Sequence, residues 1–178
     1  MRYKIIVVFI FLLSSILFVH CVMGEEIFEK DAFVVSSPVF KHNGTIPSKY
    51  TCNGVNVNPP LIIEHVPAGA KSLALVVEDP DVPAGIWVHW VLWNIHPETR
   101  EIKENTVPKG AQQGMSDFRK ISYSGPCPPS GTHRYFFKIY ALDTILTMSP
   151  DATKADLEKS MKGHIIEQAH ITGLYKRR

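Results

Sequence analysis

A surplus of charge of one sign is missing from this chain of 178 residues, which carries 19 Lys plus Arg against 17 Asp plus Glu. Because a nucleic-acid-binding surface needs excess basic residues to neutralise phosphates, the near balance argues against that class. The chain is not poor in hydrophobic residues either. They make up 45% of it, which excludes intrinsic disorder. No segment repeats at an interval of about 20 to 50 residues, which excludes solenoids and propellers. The length suits one domain.

Long apolar runs are scarce too, and the longest one lies at the N-terminus. Arg2 and Lys4 precede the apolar stretch 5–19, and small or medium residues follow it. This order is typical of a secretory signal peptide, so we predict a signal peptide over 1–24 and one domain over 25–178. The protein is then expected to be exported, to the periplasm or the extracellular space.

Two alternatives to cleavage remain open for this N-terminal segment. A retained membrane anchor would need an apolar run of about 20 residues, and the run observed is shorter. Lipidation at Cys21 would need a small residue directly before it, whereas His20 stands there. Without Arg2 and Lys4 the remaining basic and acidic residues balance.

Cysteine is rare, and only Cys52 and Cys127 follow the predicted signal peptide. Both lie in segments rich in glycine and proline. In an exported protein a disulfide between them is a reasonable hypothesis, and it would stabilise the fold by about 3–5 kcal/mol. Sequence alone does not show that the two sulfurs meet, so two free thiols remain the alternative.

Short β-type segments alternate with turn clusters through the rest of the chain. Strands are predicted at 33–36, 61–63, 72–78, 87–95 and 134–142. One segment, 152–162, has helical composition and is followed by Gly163, while 165–175 fits either helix or strand. This order predicts a mainly β fold, an antiparallel two-sheet β-sandwich with a C-terminal helix.

Two carboxylates follow the third predicted strand. Pro80 favours an extended conformation for Asp79, and alternate residues of an extended chain point the same way, so Asp79 and Asp81 are expected to share one side. Two adjacent carboxylates repel each other, which makes one of them easier to protonate. Ordinary turn formation explains the same residues, and for this motif taken alone it is the favoured explanation.

All three tryptophans fall within residues 87–93, around His89. On a regular strand Trp87, His89, Val91 and Trp93 would share one face. Aromatic walls around a polar group are common in ligand pockets. The alternative is a core histidine whose hydrogen bonds are satisfied inside the protein.

A proline-rich loop leads directly into the fifth predicted strand, where His133 and Tyr135 share one face. A rigid connection between strands would explain this loop without any function. If the loop and the two preceding clusters converge, however, two histidines and a phenol supply hydrogen-bond donors for a small anion such as phosphate. The nearby carboxylates suit a cationic or hydroxyl-bearing group on the same ligand.

These segments closely resemble the phosphatidylethanolamine-binding protein family, in its bacterial and archaeal branch related to the Raf kinase inhibitor proteins. The resemblance is carried by DPDVP at 79–83, WVHW at 87–90 and GPCPPSGTHRY at 125–135, and it extends over about 33–175. It implies a two-sheet antiparallel sandwich with an anion pocket at one end. The residues that it places at the pocket are Asp79, Asp81, His89, His133 and Tyr135, with Pro126 and Pro128-Pro129 at the rim.

The resemblance also carries expectations about partners. Family members bind small ligands that contain phosphate, several bind other proteins, and prokaryotic members often form homodimers. The chain departs from the family pattern at Arg119, where glycine is expected, and at Ile63, where an aromatic residue is expected.

The leading hypothesis is a non-catalytic binding module for a small anionic ligand that regulates or inhibits a protein partner, without cofactor or metal. A hydrolase is the alternative, with Asp79 or Asp81 as general base and His89 or His133 as general acid. The sequence contains no G-x-S-x-G, H-E-x-x-H or P-loop motif to support it. A metal site formed by the same histidines and aspartates, and an inhibitor that acts through its loops, are the other hypotheses.

Overall fold

The computed structural model describes residues 31–177, and the predicted signal peptide therefore lies outside the described residues. The strands are β1 Val34–Ser36, β2 Gly44–Thr45, β3 Leu61–Glu64, β4 Ser72–Asp79, β5 Trp87–Ile95, β6 Glu101–Ile102, β7 Gln112–Gln113, β8 Thr132–Leu142 and β9 Ile165–Lys176, and the helix is α1 Lys154–Met161. Over this range no helix is both long enough and apolar enough to cross a membrane.

The strands form two sheets, a small one in the order β1-β3-β6 and a large one in the order β2-β9-β8-β4-β5-β7. The predicted mainly β fold is confirmed, but the strictly antiparallel arrangement is wrong because β2 runs parallel to β9. Only a short hairpin connection forces neighbouring strands to be antiparallel, and β2 is separated from β9 by most of the chain.

Each predicted strand is present with bounds shifted by at most two residues. The helix begins at Lys154 rather than at residue 152, because Thr153 caps it. The Thr153 amide donates to the Asp156 carboxylate over 2.9 Å, and the Asp156 amide donates to Thr153 Oγ1 over 3.4 Å. The helix is not the last element, since the segment that fitted either helix or strand forms β9.

Hydrophobic side chains cover both faces of the large sheet. One cluster joins residues of both sheets, among them Leu61 and Ile63 of β3 with Leu75 and Val77 of β4. A second cluster on the opposite face of the large sheet includes Leu157 and Met161 of α1. All eight residues of β4 are buried as a result, which explains its almost entirely apolar sequence.

A β-bulge at His89 changes the direction of the side chains along β5. Val77 pairs with Trp90 while the next residue, Glu78, pairs with Val88, so β5 carries one extra residue at this point. The predicted alternation is therefore wrong, because Val91 and Trp93 pack on the helix side of the sheet. His89 instead lines a pocket on the other face.

Candidate functional site

A pocket of about 240 Å³ lies at the edge of the large sheet where β4 ends and β5 and β8 begin. Three of its lining residues were predicted as ligand-binding residues, namely Asp79, His89 and Tyr135. The others are Val82, Trp87, Phe118, Cys127, Pro128 and Pro129. Because β4 is antiparallel to both neighbours, the end of β4 and the starts of β5 and β8 meet at the same edge.

The carboxylate of Asp79 is held by hydrogen bonds on both oxygens. His133 Nδ1 lies 2.7 Å from Oδ2, and the amide of Asp81 donates to Oδ1 over 2.8 Å. The Asp79 and His133 side chains are only 3% and 10% exposed. His133 thus does not line the pocket itself; it orients the aspartate that does.

His89 presents one ring nitrogen as an acceptor. Its Nδ1 lies 2.6 Å from the carbonyl oxygen of Ser124, which can only accept, so Nδ1 carries the proton. Burial lowers the pKa of His89 below its usual 6.5, and the Ser124 hydrogen bond and the Asp79 charge only partly oppose this. Near neutral pH the ring is therefore uncharged, with a lone pair on Nε2.

The fully buried hydroxyl of Tyr135 forms no hydrogen bond of normal geometry to a described residue, although the Asp79 carboxylate and the Cys127 backbone lie near enough to influence its pKa. Burial, reinforced by the Asp79 charge, raises the pKa of this phenol, so it keeps its proton. Its ring packs edge-on against His89, with centroids 5.3 Å apart. A buried hydroxyl without a partner costs about 1–3 kcal/mol, which a ligand that accepts its proton would offset.

Asp81 faces away from this group. Its carboxylate binds Arg134: the guanidinium Nη2 donates to Oδ1 over 2.6 Å, and the Arg134 backbone amide donates to Oδ2 over 2.8 Å. Hydrogen bonds and charge from Arg134 hold the pKa of Asp81 below its usual value. Asp79 and Asp81 do not share a side because β4 ends at Asp79, and with it the regular alternation of an extended chain.

The disulfide between Cys52 and Cys127 is present and forms part of the pocket wall through Cys127. Pro126 lies behind this wall, where its carbonyl accepts the Cys52 amide over 3.1 Å. Gly125 is required next to it, since a Cβ there would lie 2.2 Å from the carbonyl oxygen of Tyr50.

Sequence reasoning missed Phe118 and Val82 as pocket residues. Phe118 packs edge-on against His89, with centroids 5.1 Å apart, and against Trp87 at 5.5 Å. It comes from a polar loop without periodicity, so no local pattern in the sequence predicts it. Within residues 31–177, no three His, Cys, Asp or Glu side chains are grouped so that they could hold a metal ion.

Comparisons with known proteins agree on one family. The sequence pattern of the phosphatidylethanolamine-binding protein family matches residues 36–176. A UPF0098 protein from Methanothermobacter thermautotrophicus is 49% identical over 143 residues, which are 78% of this chain and 95% of that protein.

Two crystal structures are similar to this fold. A phosphatidylethanolamine-binding protein homologue from Chlamydia trachomatis has a TM-score of 0.80 at 41% identity, covering 83% of this chain and 99% of that one. YbcL from E. coli, described as a member of the mammalian phosphatidylethanolamine-binding family, has a TM-score of 0.77 at 31% identity. That alignment covers 82% of this chain and 99% of YbcL.

Proposed function

The chain belongs to the phosphatidylethanolamine-binding protein family, and from this premise we propose that its pocket binds a small ligand with a phosphate or similar anionic group, without turnover. The observation that carries the proposal is the buried Tyr135 hydroxyl, which has no partner among residues 31–177 and lines the pocket beside His89. A ligand oxygen is the natural acceptor for that proton.

The neighbouring groups narrow the chemistry of the ligand. Neither lysine nor arginine is among the residues that line the pocket, so an anion gains positive charge there only when His89 takes up a proton. The Asp79 carboxylate repels a bare anion but accepts a hydrogen bond. The ligand that suits both His89 and Asp79 is an anion that also carries a hydroxyl or ammonium group, such as hydrogen phosphate or a phosphorylated amine.

Six residues predicted from the sequence take two roles in this proposal. Asp79, His89 and Tyr135 contact the ligand. The other three support them. His133 orients Asp79, and Asp81 anchors the loop after β4 to Arg134. Pro126 lies behind the disulfide wall and accepts a hydrogen bond from the Cys52 amide.

The proposal extends to location and biological role. The Cys52–Cys127 disulfide suits an oxidising compartment outside the cytoplasm, in line with the predicted signal peptide. There, we propose, ligand occupancy regulates binding to a protein partner. A measurement of the protein's mass in solution distinguishes a monomer from the homodimer expected from its family.

Calorimetric titration with inorganic phosphate and with phosphoethanolamine tests the proposal, with phosphorus NMR on the same samples. Saturable binding with an unchanged ligand, lost in His89→Ala, is the expected result. Hydrolysis of phosphoethanolamine that disappears in Asp79→Asn would instead make the protein the hydrolase considered as the alternative. Absence of both binding and turnover would overturn the proposal and direct attention to protein partners.

A further inference from the structure

A second cavity, of about 300 Å³, lies beside the segment that runs from Ser122 to Cys127. Ser122 and Tyr123 line this second cavity, whereas Cys127 lines the ligand pocket described above. The rest of its wall comes from loops at 56–58 and 105–107, with Trp90 and Gln113 of the large sheet. None of its lining residues is charged.

Hydrogen bonds fix the orientation of two amide side chains in this cavity, Gln113 and Asn56. The Trp90 indole donates to Gln113 Oε1 over 2.8 Å, which leaves the Gln113 NH2 group without a partner among the described residues. The Gly125 amide likewise donates to Asn56 Oδ1 over 2.7 Å and leaves the Asn56 NH2 group available. The Asn105 side chain makes no hydrogen bond to any described residue, so it offers both a donor and an acceptor.

We propose that this cavity, which we call the amide cleft, binds an uncharged, extended segment of a partner polypeptide. A peptide group has one N–H and one C=O, which pair with a side-chain amide in both directions. Val57 and Val107 supply apolar surface for a small side chain. The lack of charged residues makes the cleft unsuitable for an ion.

The size of the amide cleft limits how much of the partner it holds. Its volume is at the lower end of the range for ligand sites, which fits one or two residues. An isolated fragment of that size is expected to bind with a Kd on the order of 1 mM, because a small ligand makes few contacts. A complete partner would add contacts outside the cleft.

NMR titration of the ¹⁵N-labelled protein with N-acetyl-L-valine N-methylamide tests the proposal. Saturable shifts are expected for the side-chain NH2 groups of Asn56, Asn105 and Gln113 and for the Trp90 indole. Asn105→Asp should weaken binding roughly fivefold or more, since it removes an NH2 donor without changing the side-chain shape.

Asn43→Asp is the matched control. Asn43 and Asn105 both have positive φ angles, 59° and 53°, and Asn43 lies outside the cleft. Both substitutions place aspartate in a conformation that it tolerates. Binding that is kept in Asn43→Asp and weakened in Asn105→Asp supports the proposal.

Three results would overturn it: no saturable shift, an equal effect of both substitutions, or shifts confined to His89 and Tyr135. A phosphate titration of the same samples keeps this test separate from the ligand pocket. The amide cleft goes beyond the proposed function, so phosphate binding should be unchanged in Asn105→Asp whether or not the cleft binds the amide.

Discussion

The imidazole of His133 lies 2.7 Å from the carboxylate of Asp79 in a hydrogen bond that is almost entirely buried. With its other oxygen bound by the Asp81 amide, Asp79 is fixed in direction before any ligand arrives. A site whose polar groups are already oriented loses less conformational entropy on binding. The pocket is therefore preorganised on its carboxylate side, while the Tyr135 hydroxyl opposite still lacks a partner among the described residues.

Replacement of Tyr135 by phenylalanine should separate binding from stability. The affinity for phosphate should fall by about tenfold or more, because one hydrogen bond to a charged ligand is lost. The free energy of unfolding should stay unchanged or rise slightly, since the hydroxyl that is removed has no partner within residues 31–177. Calorimetry and urea unfolding measure the two quantities.

Tyr123→Phe is the control for that substitution. The Tyr123 hydroxyl donates to the Tyr50 carbonyl over 3.0 Å and does not line the ligand pocket. The Tyr123→Phe variant should have a free energy of unfolding about 1 kcal/mol lower than the wild type and an unchanged phosphate affinity. Equal phosphate affinities in Tyr135→Phe and the wild type would contradict the role given to Tyr135.

Anion binding should strengthen as the pH falls. His89 is neutral in the free protein because burial lowers its pKa below 6.5, and an anion next to Nε2 favours the protonated ring. Binding then takes up a proton, so the affinity for sulfate should rise between about pH 7.5 and 5.5. Sulfate is the suitable probe because its own charge is constant over this range, and the Tyr135 phenol does not titrate there.

His89→Gln should abolish the pH dependence, whereas His96→Gln, at an exposed position outside the pocket, should preserve it. Calorimetry in two buffers with different ionisation enthalpies measures the proton uptake directly. A sulfate affinity that is the same at both pH values would show that His89 does not contact the anion.

The sequence predicts the strands and much of the pocket because both leave local signals. Apolar β-type segments mark the five strands, and the motifs at 79–83, 87–90 and 125–135 contain Asp79, His89 and Tyr135. The two-residue strands β2, β6 and β7 leave no such signal, since they are defined by their partners.

The remaining features depend on contacts between distant segments. The bulge at His89 exists only in the register of β5 against β4, and the pairing of Asp81 with Arg134 joins residues separated by 53 positions. Arg119, where the family resemblance leads us to expect glycine, adopts a φ of 57°. That angle favours glycine, which gives the expectation a physical reason.

Glu78 should be important for stability rather than for binding. Its buried carboxylate pairs with Lys138 at 2.5 Å and with Lys154 of α1 at 2.7 Å, on the sheet face opposite the pocket. Glu78→Gln takes the carboxylate away from Lys138 and leaves Lys154 with only the half-exposed Glu158, so it should lower the free energy of unfolding by about 3 kcal/mol at neutral pH. Glu158→Gln, at a half-exposed position, should change it by less than about 0.5 kcal/mol.

The effect of Glu78 should disappear in acid. Burial opposes ionisation of this carboxyl, but the hydrogen bonds and charges of Lys138 and Lys154 outweigh burial and lower its pKa below the usual 4.5. A lowered pKa in the folded state contributes stability above pH 4.5 that is lost as the pH falls through the folded value. Urea unfolding should therefore show the difference between the wild type and Glu78→Gln shrinking as the pH falls below 4.5; a constant difference would contradict this assignment.

The disulfide should affect both stability and binding. Cys52 and Cys127 are 75 residues apart, and closing a loop of that length stabilises the fold by about 4 kcal/mol. The double variant Cys52→Ser/Cys127→Ser should lose that amount in urea unfolding, and its phosphate affinity should fall because Cys127 forms part of the pocket wall.

A dithiol reductant should reproduce both effects in the wild type and change nothing in the double variant. If reduction lowers stability but leaves the phosphate affinity intact, the wall keeps its shape without the covalent link, and the role given to Cys127 is wrong.

The central claim is that a small anion binds between His89 and Tyr135. Long-range ¹H–¹⁵N NMR of the histidine rings during a phosphate titration tests it most directly, because it reports the protonation of each ring nitrogen. The account predicts that His89 Nε2 changes from an unprotonated to a protonated signal, with the same Kd as calorimetry gives. Phosphate binding that leaves the His89 signals unchanged, or no binding at all, would contradict it.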